Sequence, residues 1–146
     1  LAIEAIESFN KPYLVGAHIS EGVKLPSGEN ISEIVTTIDH KNLLGIILSC
    51  VSPENYEKNL NELKNLGVPF GFKLNGFITT NPDKGYTDNF NKSKTGNPNE
   101  FLGHREDLIP KKMGLIAKKF KKAGATILGG CCETRPAHIK EIAKLK

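Results

Sequence analysis

The chain has 146 residues, is 38% hydrophobic and 25% charged, and carries a formal net charge of +4. That balance excludes a disordered or fibrous chain and suits one globular domain with a buried core. No run approaches the ~18 apolar residues of a membrane-spanning helix, nothing resembles a secretory signal, and a first residue of Leu1 rather than Met reads as a piece of a longer chain.

In chain order, Leu1, Ile3, Ala5 and Ile6 favour a short helix that Asn10-Lys11-Pro12 breaks. Residues 13–19 then read as a strand, followed by a polar, Gly-containing loop over 20–30. Ser32 is the expected N-cap of a helix to about residue 40, with Ile34, Val35 and Ile38 on one face. The unbroken apolar run over 43–48, ending at Ser49-Cys50, has the character of a parallel strand buried on both faces. Ser52-Pro53-Glu54 combines an N-cap, a first-turn proline and an acid, and the helix it opens runs to Gly67. Residues 68–74 form the third strand, ending at Asn75-Gly76. The polar stretch over 77–106 is long enough to be functional or disordered, and its Tyr86 and Phe90 are candidates to close over a ligand. A helix over 109–123 ends at Gly124, the fourth strand covers 125–130 and ends at Cys131-Cys132, and a last helix covers 137–145.

Strict alternation of helix and strand predicts a parallel sheet with helices outside, either open and doubly wound or part of a (β/α)8 TIM barrel. No G-x-G-x-x-G follows the first strand, so the dinucleotide-binding form has no support. A barrel needs about 250 residues and eight strand–helix units, and four units make its half. Two open sheet edges predict that this half by itself aggregates, dimerises to mimic a barrel or stays poorly folded, and lacks activity.

Ten of the basic residues fall within 108–146 against only Glu133 and Glu141. Most of the lysines among them lie at helix positions with aliphatic residues between them, the pattern of a solvated face rather than of nucleic-acid binding. Three cysteines without a secretory signal argue against a disulfide framework and for a reducing, cytoplasmic setting.

Parallel α/β folds place their sites at the C-terminal ends of strands. All three cysteines, Cys50, Cys131 and Cys132, fall there, which points to metal or thiol chemistry rather than packing. Three thiolates suit Zn²⁺ and leave one coordination position open, the mark of a catalytic site. The partner suited to such a metal is another thiol, deprotonated on binding, which points to alkyl transfer to a thiol. The start of the last helix after Cys131 adds a dipole that favours thiolates. Asn75 is expected beside the metal or the substrate, with a turn-forming Asn-Gly as the alternative. Gly129 and Gly130 permit close backbone approach by the substrate or a tight turn. His18 reads as a hydrogen-bonded rim residue, His138 as a surface or capping residue, and His40 and His104 as loop residues.

Gly129-Gly130-Cys131-Cys132, continued by Glu133-Thr134-Arg135-Pro136-Ala137-His138-Ile139, resembles the closing signature of the homocysteine S-methyltransferase family. The Ala123-Gly124-Ala125 lead-in, the strand ending in Cys50 before Ser52-Pro53-Glu54, and the loop carrying Gly28 fit the same pattern. The resemblance spans nearly all of residues 1–146 and corresponds to the C-terminal half, strands five to eight, of a zinc-dependent barrel. It implies that Cys50, Cys131 and Cys132 hold zinc and that homocysteine is methylated to methionine; Asn75 and Gly130 are candidate substrate contacts from their strand-end positions alone. The donor it implies is a sulfonium, a betaine-like ammonium or a methylated pterin delivered through cobalamin. Ser49 stands where the family often has Asn, the stretch over 77–106 is long for the family, and the first four strands with the amino-acid-binding residues are missing. A non-catalytic zinc-storing or redox-sensing thiol module is the alternative.

Overall fold

A computed structural model of the chain describes residues 2–19, 22–38, 40–78 and 102–146. Most of the stretch over 77–106, with Tyr86 and Phe90, lies outside these residues. The elements are α1 (Ala2–Glu7), β1 (Tyr13–Ala17), α2 (Ile31–Thr36), a 3-10 turn (His40–Asn42), β2 (Leu43–Val51), α3 (Pro53–Lys64), β3 (Phe70–Leu74), α4 (Pro110–Lys122), β4 (Ile127–Gly130) and α5 (Pro136–Ala143). The predicted alternation of helix and strand is therefore observed.

The four strands form one parallel sheet in the order β1-β2-β3-β4. Sequential order with right-handed crossovers places every connecting helix on the same face. A doubly wound sheet needs a reversal of order to put helices on both. The sheet is thus compatible with a sector of a barrel.

Side-chain alternation agrees. Ile46, Leu48, Phe72 and Leu74 are fully buried on the helical face. There Tyr56 of α3, Phe72 of β3 and Phe120 of α4 pack with ring centroids 4.7–5.7 Å apart at tilted or edge-on angles, the arrangement that adds to burial through the ring quadrupoles. Ala17, Ile31, Leu63, Met113, Ala117 and Ile142 complete this core. On the opposite face Leu14 is 44% exposed and Lys73 is also exposed. Gly71 lies on that face opposite Ile127 of β4; a Cβ there would stand 1.9 Å from the carbonyl oxygen of Ile127, so no side chain fits.

Helix starts follow local chemistry. Pro53, Pro110 and Pro136 each occupy a first-turn position, where the missing N–H costs nothing. Ser52 caps α3 as expected, its hydroxyl accepting the Asn55 N–H at 3.1 Å. The expected Ser32 cap of α2 is corrected to Asn30. Glu33 reaches back to accept the Asn30 N–H at 2.9 Å, and that reciprocal bond moves the helix start upstream. The Ser32 N–H is instead taken by the Glu62 carboxylate of α3 at 2.7 Å.

Candidate metal centre

β2 runs past its apolar segment to Val51, so Cys50 lies inside the strand rather than after it. The β2–β3 register reads Ser49↔Lys73 and then Val51↔Leu74. Cys50 is therefore the extra residue of a bulge, and its φ of 56° is in the left-handed region. Such a backbone is unfavourable for a side-chain-bearing residue and persists only where its surroundings hold it.

Asn75, fully buried just after β3, supplies that hold. Its N–H donates to the Val51 carbonyl at 3.0 Å. Its Nδ2 donates to the Cys50 carbonyl at 2.6 Å and lies 3.7 Å from the Cys50 Sγ. Its Oδ1 accepts the Phe77 N–H at 3.1 Å, so the turn-forming role and the position beside the cysteine coexist.

Cys131 and Cys132 occupy the turn after β4. The Cys131 N–H donates to Leu74 at 2.7 Å and the Gly76 N–H donates to the Cys132 carbonyl at 2.9 Å. Thr134 closes the turn by donating its hydroxyl to the Cys131 carbonyl at 2.5 Å. Gly130 has a packing reason to be glycine: a Cβ there would stand 2.4 Å from the Thr134 Oγ1 and 3.0 Å from Ile139 Cδ1. Gly129, on the opposite face, would bring a Cβ only to 3.5 Å of the Phe72 carbonyl oxygen.

The three thiols are free, and their sulfurs all lie within 4.8 Å of one another, with Cys50 and Cys132 at 3.7 Å. Zn–S bonds of about 2.3 Å in a tetrahedron require sulfurs about 3.8 Å apart. The Cys50–Cys132 separation matches that edge length, and the remaining sulfur pairs lie within 4.8 Å. Burial pushes the Cys50 thiol up to about 12, with the charges and hydrogen bonds of Cys131 and Cys132 adding to it. Burial also raises Cys132. Thiols so close together resist joint ionisation, and a bound dication is the natural counter-charge for three thiolates. The donor set suits a soft, thiophilic cation such as zinc.

Of the other predicted rim residues, His18 follows β1 and its Nδ1 donates to the Ser49 carbonyl at 3.3 Å. His138 is buried, not a surface residue, and its capping role is observed. Its Nδ1 accepts the Arg135 N–H at 3.0 Å, so Nε2 carries the proton and donates to the Leu108 carbonyl at 2.9 Å. His104 pairs with Phe77 in an antiparallel bridge, and its Nδ1 lies 3.0 Å from a Glu133 carboxylate oxygen. The base of the long β3–α4 connection is thereby stitched to the cysteine turn.

Sequence reasoning assigned no role to Arg105, Glu133 or Lys73. Arg105 binds Glu54 through two nitrogens at 2.6 and 2.9 Å and Asp107 at 3.0 and 2.9 Å, joining the start of α3 to the segment before α4. These partners lie 51 residues apart at the widest, so spacing carried no signal. Lys73 did carry one, as the single charged residue in the four strands. Among the described residues no helix is long and apolar enough to cross a membrane.

Comparison with known proteins accords with this geometry. The family described as Homocysteine S-methyltransferase matches residues 1–145. The chain is 30% identical over 145 residues to Homocysteine S-methyltransferase 1 of Saccharomyces cerevisiae, covering 92% of this chain and 39% of that protein. It is 25% identical over 126 residues to Homocysteine S-methyltransferase 1 of Zea mays, covering 86% of this chain and 35% of that protein. It is 28% identical over 127 residues to Homocysteine S-methyltransferase 3 of Arabidopsis thaliana, covering 86% and 32%. The chain thus spans about a third of the length of the curated relatives it matches.

Proposed function

The chain belongs to the homocysteine S-methyltransferase family, and from that premise we propose that it is the metal-bearing part of an enzyme that methylates the homocysteine thiol to give methionine. In this reading residues 1–146 form the C-terminal half of a TIM barrel, and Cys50, Cys131 and Cys132 hold one zinc ion. The observation that carries it is the convergence of three thiols from two strand ends to within 4.8 Å. When bound, zinc supplies the Lewis acidity that makes a thiol a thiolate at neutral pH.

The chain's own residues build and shape that centre. The bulge at Cys50 turns its sulfur toward the β4–α5 turn, and Asn75 fixes the bulge through the Cys50 carbonyl. Asn75 also stands close enough to the sulfur to contact the substrate or the metal. Gly130 lets Thr134 fold back against β4, which presents Cys131 and Cys132 together. In the reaction the substrate thiol loses its proton, a new S–CH₃ bond forms, and the bond between that methyl and its donor breaks, the electron pair leaving with the donor. The donor is a sulfonium, a betaine-like ammonium or a methylated pterin. Neither nucleic acid nor membrane is a partner in this reading, the setting is cytoplasmic, and the open sheet edges favour self-association.

The 3.7 Å approach of Cys50 to Cys132 favours one alternative, a zinc-storing or redox-sensing thiol module without catalysis. Metal analysis combined with homocysteine and donor assays separates the two. One zinc per chain with homocysteine-dependent binding is expected. Absence of zinc, with reversible oxidation of the thiols, rejects the methyl-transfer reading.

A further inference from the structure

Lys73 is the one charged side chain that the four strands carry. Strand positions in an apolar parallel sheet disfavour lysine, so its presence calls for a use of its charge. Phe72 and Leu74 are fully buried toward the helices, so alternation turns Lys73 to the opposite, open face. Its stem confirms this, with Cγ lying 3.6 Å from where a Cβ on Gly129 would stand.

The register places Lys73 between Ser49 on β2 and Gly129 on β4. Ser49 immediately precedes Cys50, and Gly129 stands two residues before Cys131. The lysine therefore emerges directly beneath the cysteine rim, on the middle strand of the three that build it. Its lateral neighbours are small and uncharged. Among the described residues it is exposed and makes no hydrogen bond or ion pair, whereas Lys112, Lys119 and Lys144 all pair with acids on the helical surface.

We propose that Lys73 is the cationic contact for a carboxylate of the reactants at the cysteine rim. This rests on the methyl-transfer reading above. Homocysteine carries its carboxylate a short aliphatic chain away from the sulfur, and betaine-like or amino-acid sulfonium donors carry one as well. An ammonium on a flexible four-carbon stem suits such a group, because it follows the carboxylate without the fixed fork that arginine demands. The small side chains beside it leave the space that a bound carboxylate would occupy.

The test compares zinc-loaded wild type with Lys73→Met and Lys73→Arg, each in the whole enzyme of which these residues are the proposed metal-bearing part. Each is titrated calorimetrically with L-homocysteine and with aminopropanethiol, the same molecule without its carboxylate. The KM of the methyl donor that supports turnover is measured alongside, with zinc content and circular dichroism as controls for folding. The wild type is expected to prefer homocysteine over aminopropanethiol by about tenfold, the weight of one charge-assisted hydrogen bond. Lys73→Met loses that preference and Lys73→Arg keeps most of it. Unchanged homocysteine binding together with a roughly tenfold rise in donor KM for Lys73→Met also supports the proposal and places the carboxylate on the donor. A folded, zinc-loaded Lys73→Met that matches wild type in both homocysteine affinity and donor KM overturns it, with the methyl-transfer reading intact. A zinc-loaded wild type that binds neither thiol overturns that reading itself, and the role of Lys73 with it.

Discussion

The side-chain amide of Asn75 donates to the Cys50 carbonyl at 2.6 Å, across 25 residues of sequence, and so holds a cysteine whose φ is 56°. A fully buried amide is thus spent on the backbone of a bulge, and the bulge aims a sulfur at two others. Strain of this kind concentrates at functional sites, where surrounding bonds sustain it.

Removing that amide tests the relationship directly. Asn75→Ala leaves the Cys50 carbonyl and the Phe77 N–H without this partner, at a cost of about 1–3 kcal/mol. We expect a lower urea midpoint and weaker zinc retention against a chelator. Asn75→Ala with wild-type zinc and homocysteine affinity would show that the amide neither shapes nor contacts the site.

The strain at Cys50 predicts an inversion of the usual order of substitutions. Cys50→Ala keeps the Cβ penalty of a left-handed backbone, while Cys50→Gly relieves it, by about 1 kcal/mol. In the metal-free state Cys50→Gly should therefore unfold at higher denaturant than Cys50→Ala, although both remove a proposed zinc ligand. Equal midpoints would mean that the bulge relaxes when the sulfur is gone.

Gly129 and Gly130 should respond oppositely to alanine. At Gly130 the new methyl collides with Thr134, whose turn presents Cys131 and Cys132, so Gly130→Ala should cost about 1–3 kcal/mol and weaken zinc binding. At Gly129 the methyl meets only ordinary contacts on the open face, so stability should change little. Thermal melts and a zinc competition titration read both effects.

Acid should weaken the link between α3 and α4. Hydrogen bonds from Arg105 hold the Glu54 and Asp107 carboxyls below their ordinary range. Carboxyls lowered in the folded state contribute stability that is fully present above their ordinary titration range and is lost progressively as pH falls from that range toward their lowered folded-state values. Arg105→Met should therefore be less stable than wild type at pH 7, and the gap should narrow toward about pH 3, below the usual carboxylate range. A gap that stays constant between those two pH values, followed by thermal denaturation, contradicts the assignment. The partners are largely exposed at Glu54 and Asp107, so the gap at neutral pH should be small.

Much of the fold was legible from local patterns. The unbroken apolar run of β2, the prolines opening α3, α4 and α5, and the Ser52 cap depend on neighbours within a turn or a strand. The α2 start was displaced because Ser32 and Asn30 are both good caps, and a side-chain bond from Glu33 selected between them. The cysteines were recognisable at strand ends, but their geometry was not. Cys50 belongs inside β2, and its sulfur meets Cys132 across 82 residues. The sequence reads His138 as a surface or capping residue, yet its buried bond to Leu108 was invisible because α4 and α5 meet only on folding.

By itself, then, the sequence determined the alternation of strands and helices, the parallel class, the family and the three thiols, since these follow from periodicity, caps and short motifs. Tertiary structure alone decided that Cys50 sits on a bulge, that Asn75 holds it there, that Glu133 reaches His104, and that Lys73 stands beneath the rim. The reason is physical. Each of those arrangements is set by the register between strands that are distant in the chain, and a register is selected only when opposite faces pack, one against helices and one toward the open side.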